Sequence, residues 1–160
     1  MRLWHKDLLL YLPSQQLTAQ WRECCAIAYN LARNHTPNHI LVNEILSYEP
    51  THYISYCSLV FKEAYERGYR ISDKARLKLE QDLKAWQLYL ADEIPWELDS
   101  KIPVPYDELF AKWHNERYAT QCYYNLEEKY DRGGIPEDEW AKVQTWWKGA
   151  HYIFPMNPPE

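Results

Sequence analysis

The sequence predicts an all-α chain folded as a single compact domain of about six helices, and three observations carry that prediction. Apolar residues recur at spacings of three and four along most of the chain. Ser, Thr and Pro stand where those segments begin and Gly where they end, which is helix punctuation. No segment alternates apolar and polar residues with the period of two that a half-buried strand needs.

The first helix is predicted over residues 14–33: Ser14 follows Pro13 as an N-cap, and Leu17, Trp21, Cys24, Ala28 and Leu31 form one stripe. Thr36-Pro37 predicts the start of a second, shorter helix that runs to about Tyr48 and stops before Pro50. Thr51 is the expected cap of a third, with Ile54, Cys57, Phe61 and Ala64 on its apolar side and Gly68 just past its end. Ser72 opens a fourth, with Leu79, Leu83, Trp86 and Leu90 on one face. Pro95, Pro103 and Pro105 mark an irregular connector over 91–105. A fifth helix is predicted over 106–131, carrying Phe110, Trp113, Arg117, Thr120 and Tyr124 and closed by Gly133-Gly134. The sixth begins at Pro136, has Glu137, Asp138 and Glu139 in its first turn where the helix dipole favours acids, and ends near Gly149. The domain then divides into a core (1–90), the connector, a C-terminal helical pair (106–150) and a tail (151–160).

At 160 residues and 46% apolar composition the chain is long enough to bury a core without covalent staples. Its longest N-terminal apolar run, Leu8 to Leu12, is too short for a membrane span or a signal peptide, so a cytoplasmic protein with no membrane partner is expected. The net charge of −5 is unevenly placed: residues 1–84 carry +2 and the remainder −7. A basic excess exists only locally, between Lys62 and Lys84, which disfavours tight non-specific binding to nucleic acid. Aromatic residues are abundant, with 8 Trp and 14 Tyr, and could serve as core, partner surface or stacking platforms.

Several chemistries find no support. There is no Gly-rich phosphate loop, no G-x-S-x-G elbow and no H-E-x-x-H. Cys24 and Cys25 are adjacent and Cys57 and Cys122 isolated, so all four read as small buried hydrophobes. His35 and His39 are four apart, but Thr36-Pro37 between them puts His35 before the expected helix start, and no metal site is predicted. His114 and His151 have no partner that sequence can locate. No cofactor is implied. Two clusters remain. Arg22 and Glu23 lie on opposite flanks of the first helix's apolar stripe, either as exposed charges or, for Glu23, as a carboxylate at a buried margin suited to acid–base work. Trp146, Trp147 and Lys148 near the C-terminus either pack into the core or stack on unpaired bases while the lysine meets a phosphate.

The stretch Gln15-Gln16-Leu17-Thr18-Ala19-Gln20-Trp21-Arg22-Glu23 resembles the N-terminal helix of phage-type pyrimidine-dimer DNA glycosylases, the endonuclease V–type abasic lyases, at the same distance from the chain start. Arg67-Gly68-Tyr69-Arg70-Ile71 and Thr145-Trp146-Trp147-Lys148 are fainter echoes of the family's motifs. The opening Met-Arg-Leu-Trp-His-x-Asp-Leu is most similar to uncharacterised bacterial members. The resemblance implies a fold similar to the endonuclease V–type glycosylase, with an added helix (72–94) and a C-terminal helical pair. It also implies imine chemistry: the α-amine of the first residue attacks the sugar C1′ of a damaged nucleotide, and strand cleavage follows. An α-amine suits this because its ordinary pKa, about 7.7–8.0, leaves a neutral fraction near pH 7.

By position, the resemblance assigns the reacting amine to the chain start, on Met1 or, if that residue is removed, on Arg2, and the catalytic carboxylate to Glu23. It assigns DNA contacts to Arg22, Gln15, Trp146, Trp147 and Lys148. The chain departs from the family in having Arg2 for a small threonine, Ala26 for an arginine, and acidic rather than basic character. The bulky Arg2 predicts that Met1 is kept, and the negative charge predicts weaker affinity for the expected partner, damaged double-stranded DNA. Lys6 is an alternative amine. A non-catalytic helical protein that binds a partner, or itself as a homodimer, through an aromatic surface is the competing reading, and imine or acid–base chemistry on a small nucleoside-like substrate, with no duplex involved, a third.

Overall fold

A computed structural model describes residues 1–91, 96–98 and 103–151, with side chains to residue 149. Pro95 of the predicted connector and the tail from residue 152 lie outside these. The described residues form five α-helices: α1 (Ser14–Asn34), α2 (Pro50–Glu66), α3 (Asp73–Tyr89), α4 (Glu116–Asp131) and α5 (Glu137–His151). Short 3-10 helices cover Lys6–Tyr11, Asn43–Ser47 and Tyr106–Glu108, and no described residue is in a strand. The fold is all-α, as expected. No described helix is long and apolar enough to cross a membrane.

Helix α1 is organised by its stripe: Leu17, Trp21, Cys24, Ala28 and Leu31 are all buried, and Ile27 joins them. Each such side chain contributes on the order of 1.5–3 kcal/mol by leaving water. The N-terminus is capped differently from the expectation. Pro13 occupies the N-cap position and Ser14 is the first helical residue. The capping acceptor is Glu139 of α5, which receives both the Ser14 N–H (3.2 Å) and the Ser14 hydroxyl. An acid at that end also suits the dipole of α1.

Helix α2 starts at Pro50 behind Glu49, so Thr51 is a buried first-turn residue rather than the cap. Its stripe of Ile54, Cys57, Phe61 and Ala64 is buried as predicted. It closes in a Schellman turn, with Gly68 at φ +77° and the Tyr69 N–H donating back to the Ala64 carbonyl (3.0 Å). Ser72 caps α3 through the Ala75 N–H (3.1 Å). Leu79, Leu83 and Trp86 bury against α1 and α2, while Leu90 lies past the helix end and is exposed.

Two predicted helices are corrected. Between residues 36 and 42 no helix forms: His35 and Asn38 take left-handed backbone conformations, and the Thr36 hydroxyl oxygen accepts from the Asn38 N–H, a local turn that competes with helix. Only the 3-10 turn Asn43–Ser47 follows. The fifth helix begins at Glu116, not 106. Phe110 is at φ +48°, which interrupts helical backbone, and Asn115 supplies the true cap through the Tyr118 N–H (3.0 Å). The buried register of α4 is therefore Tyr118, Ala119, Cys122, Tyr123 and Leu126, with Arg117 and Tyr124 exposed.

Past an exposed Met1 and a half-buried Arg2, the chain runs into the interior. Leu3, Trp4, Leu8 and Leu9 are in the core, held between α1, α2 and the segment leading into α4. The Tyr56 hydroxyl donates to the Trp4 carbonyl (2.6 Å), the Tyr118 hydroxyl to the Leu3 carbonyl, and the Lys6 N–H to His114 Nδ1 (3.0 Å). This strap positions the site.

Candidate active site

One turn of α1, from Gln20 to Glu23, and the first residues of the chain meet at one carboxylate. The Arg2 N–H donates to Glu23 Oε2 at 3.2 Å, and Gln20, one turn earlier on the same face of α1, donates to the same oxygen at 3.3 Å. The Arg2 carbonyl accepts from Gln20 Nε2 (3.0 Å), so both backbone groups of residue 2 are held by α1 side chains. The α-amine of Met1 is three covalent bonds from the Arg2 nitrogen, a span of at most about 4.3 Å from standard bond lengths.

Beside this junction lies an open cleft of about 600 Å³, lined by Trp4, Gln15, Arg22, Glu23, Tyr69 and Lys129 among others. Three sequence-predicted residues, Gln15, Arg22 and Glu23, share it. Glu23 is half-buried and Arg22 exposed, as their places on the flanks of the stripe require. The Arg2 guanidinium sits 5.8 Å from the ring centres of both Trp4 and Tyr118, within cation–π range. Two cations, Arg22 and Lys129, and the aromatic side chains of Trp4 and Tyr69 share the cleft with the carboxylate, a lining that suits an anionic, partly aromatic ligand.

Trp146, Trp147 and Lys148 do not join the cleft. Trp146 is buried, and Trp147 lies face to face with Tyr123 at 4.3 Å and 9° between planes. Trp147 thereby serves the α4–α5 contact, and Lys148 is exposed beside it. None of the eight tryptophans is exposed: six are buried and Trp113 and Trp147 are half-buried, whereas Tyr29, Tyr65, Tyr89, Tyr106 and Tyr124 are exposed. Lys6 is also separate. Its ammonium donates to the Tyr106 carbonyl (2.6 Å) in a smaller cavity of about 180 Å³, and burial pushes its pKa below the usual lysine value.

The cysteines are free thiols, Cys24, Cys57 and Cys122 buried as expected and Cys25 only half-buried; burial, reinforced by Cys57 and Asp82, pushes the Cys25 thiol up to about 12. His35 stacks on Tyr89 at 3.4 Å, and His39 Nδ1 accepts from the Leu41 N–H, so the two imidazoles are separately engaged. Among the described residues no group of three or more His, Cys, Asp and Glu could hold a metal ion.

Sequence reasoning missed Gln20, Tyr69 and Lys129. For Gln20 a signal existed: it stands three residues after Leu17 and four before Cys24, an amide at an apolar stripe position. Lys129 comes from the last turn of α4, and nothing local marks its approach to α1.

The helical chain thus brings its own start against a helix-borne carboxylate beside a cleft that Arg22 and Lys129 also line. Residues 1–77 match the model of the pyrimidine dimer DNA glycosylase family. That stretch, just under half of the chain, contains α1, α2 and the start of α3, and the all-α structure is consistent with that family. A DNA substrate is what the match suggests. Comparison with curated proteins and with solved structures gave no match.

Proposed function

We propose that the chain is a DNA glycosylase and abasic-site lyase that works through an imine on its chain-start α-amine, with Glu23 moving the protons. The neutral amine attacks C1′ of a damaged nucleotide, and the bond from C1′ to the base breaks, the departing base taking a proton. Loss of the ring oxygen from C1′, protonated as the sugar opens, leaves a protonated imine. Removal of a C2′ proton by the Glu23 carboxylate then expels the 3′ phosphate by β-elimination, and water hydrolyses the imine to restore the amine. The sugar carbon is reachable only in a distorted duplex with the nucleotide displaced, for which the open cleft leaves room. Arg22, Gln15 and Lys129 would hold phosphates along the cleft rim, positioning contacts without base specificity.

The observation that carries this reading is the Arg2 N–H to Glu23 contact at 3.2 Å, which brings the chain start to a carboxylate that lines the cleft. Borohydride trapping on an abasic-site duplex tests it. The expected result is a covalent protein–DNA adduct in the untreated protein and none after N-terminal acetylation. A folded protein that yields no adduct at low salt would remove the lyase reading.

A further inference from the structure

We propose that Gln20 is the positioning residue of this site: one buried amide holds the chain start and the Glu23 carboxylate in register. The inference rests on the reading of the site given above and concerns a residue that reading does not use. Gln20 has no exposed surface, and burying an amide is costly unless its hydrogen bonds are made. All of them are made. Its Oε1 accepts from the Trp4 N–H (2.8 Å) and faces the Tyr56 hydroxyl (3.1 Å), whose proton is shared with the Trp4 carbonyl. Its Nε2 donates to the Arg2 carbonyl (3.0 Å) and to Glu23 Oε2 (3.3 Å).

The amide can adopt only this orientation. The Trp4 N–H is a donor and cannot face an NH2, and the Arg2 carbonyl is an acceptor and cannot face an oxygen. Each end of the amide therefore performs a separate task. The oxygen anchors the backbone at residue 4, and the nitrogen clamps residue 2 and the carboxylate together. With the Arg2 N–H also on Glu23, both backbone polar groups of residue 2 are fixed by α1. A hydrophobic residue here would fill the stripe equally well but leave the Trp4 N–H, the Arg2 carbonyl and one Glu23 lone pair without this partner. The geometry is that of a preorganising side chain whose partners, rather than itself, meet the substrate.

Two variants test this. Gln20→Met keeps the length and apolar fit and removes every hydrogen bond; Gln20→Glu keeps an acceptor for the Trp4 N–H and removes the donor. In single-turnover cleavage of an abasic duplex, Gln20→Met should lower the rate constant by roughly 10²-fold, the cost of misplacing reacting groups by about 1 Å, while KM changes by less than about threefold. Gln20→Glu should stay impaired, since the clamp nitrogen is what it lacks. Amide hydrogen exchange reads the same point without any activity. Protection of the Arg2 N–H should fall in Gln20→Met while that of core amides such as Leu83 persists. If the wild-type protein cleaves and Gln20→Met cleaves as fast, or if Arg2 and Leu83 lose protection together, Gln20 is only a packing residue and the proposal falls. If the wild-type protein forms no adduct, the lyase reading falls instead, and selective loss of Arg2 protection would still support the clamp.

Discussion

Around α1 the interior accommodates polar groups, whereas between α4 and α5 it is built from aromatic faces. In the first region Gln20 and Tyr56 are fully buried and spend their hydrogen bonds on the chain start and on Glu23. In the second, Tyr123 stacks on Trp147 at 4.3 Å and on Trp140 at 5.4 Å, and Tyr130 stacks on Trp140 at 5.1 Å. Polar burial is expensive unless every group is paired, so it is tolerated where it fixes a geometry. Stacked aromatics contribute area and stability with little demand on direction. The region that matches the glycosylase family is the polar one, residues 1–77, and the aromatic pair of helices lies beyond it.

Substitutions should divide along the same line. The largest effect on chemistry is expected from Glu23→Gln: strand cleavage falls by roughly 10²- to 10⁴-fold, the usual range for a general acid–base, while the melting temperature stays near that of the wild type. Trp146→Ala should do the reverse, losing about 3–5 kcal/mol of stability by leaving a cavity, with cleavage per folded molecule unchanged. Denaturant melts run alongside single-turnover assays read both. If Trp146→Ala in its folded fraction cleaves as poorly as Glu23→Gln, the two regions are not separable.

Smaller effects probe the junction. His114 ties the chain start to the segment before α4, and burial, reinforced by the nearby His5 and Lys6, holds its imidazole well below the ordinary 6.5. The unfolded chain takes up that proton first as the pH drops, so the stability present above about 6.5 is lost progressively below it. The melting temperature should fall between pH 7 and 5, and His114→Gln should flatten that slope even if it melts lower throughout. The smallest change is expected at the rim. Arg22→Ala and Lys129→Ala should each weaken DNA binding across sequences and reduce its salt dependence by about one phosphate contact, as titrations at several salt concentrations would record. Lys129 is where α4 reaches the cleft, so a loss there would show that the aromatic region contributes a cation as well as stability.

Local signals in the sequence go a long way. The stripe from Leu17 to Leu31 marks α1, Ser72 marks the start of α3, and Gly68 and Gly133 mark helix ends at positive φ. What misleads is punctuation without continuation. Thr36-Pro37 has the form of a helix start, yet the Thr36 hydroxyl closes a turn on the Asn38 N–H and the backbone turns left-handed twice. Pro105 likewise precedes only the 3-10 turn Tyr106–Glu108, because Phe110 breaks the register and Asn115 restarts it. At the site, Arg22 and Glu23 are legible from their place beside the stripe, and the α-amine from the family resemblance. Lys129 and the Glu139 cap on α1 are long-range partners, more than a hundred residues from the groups they approach, and no local pattern announces them.

The central claim is that the reacting amine is at position 1, opposite Glu23. Peptide mapping of the borohydride-trapped adduct tests it most directly, since a digest separates the chain start from Lys6 and Lys129. The account predicts the sugar remnant on the α-nitrogen of residue 1 alone. A remnant on the Nζ of Lys6, in its separate cavity, or on Lys129 would contradict it.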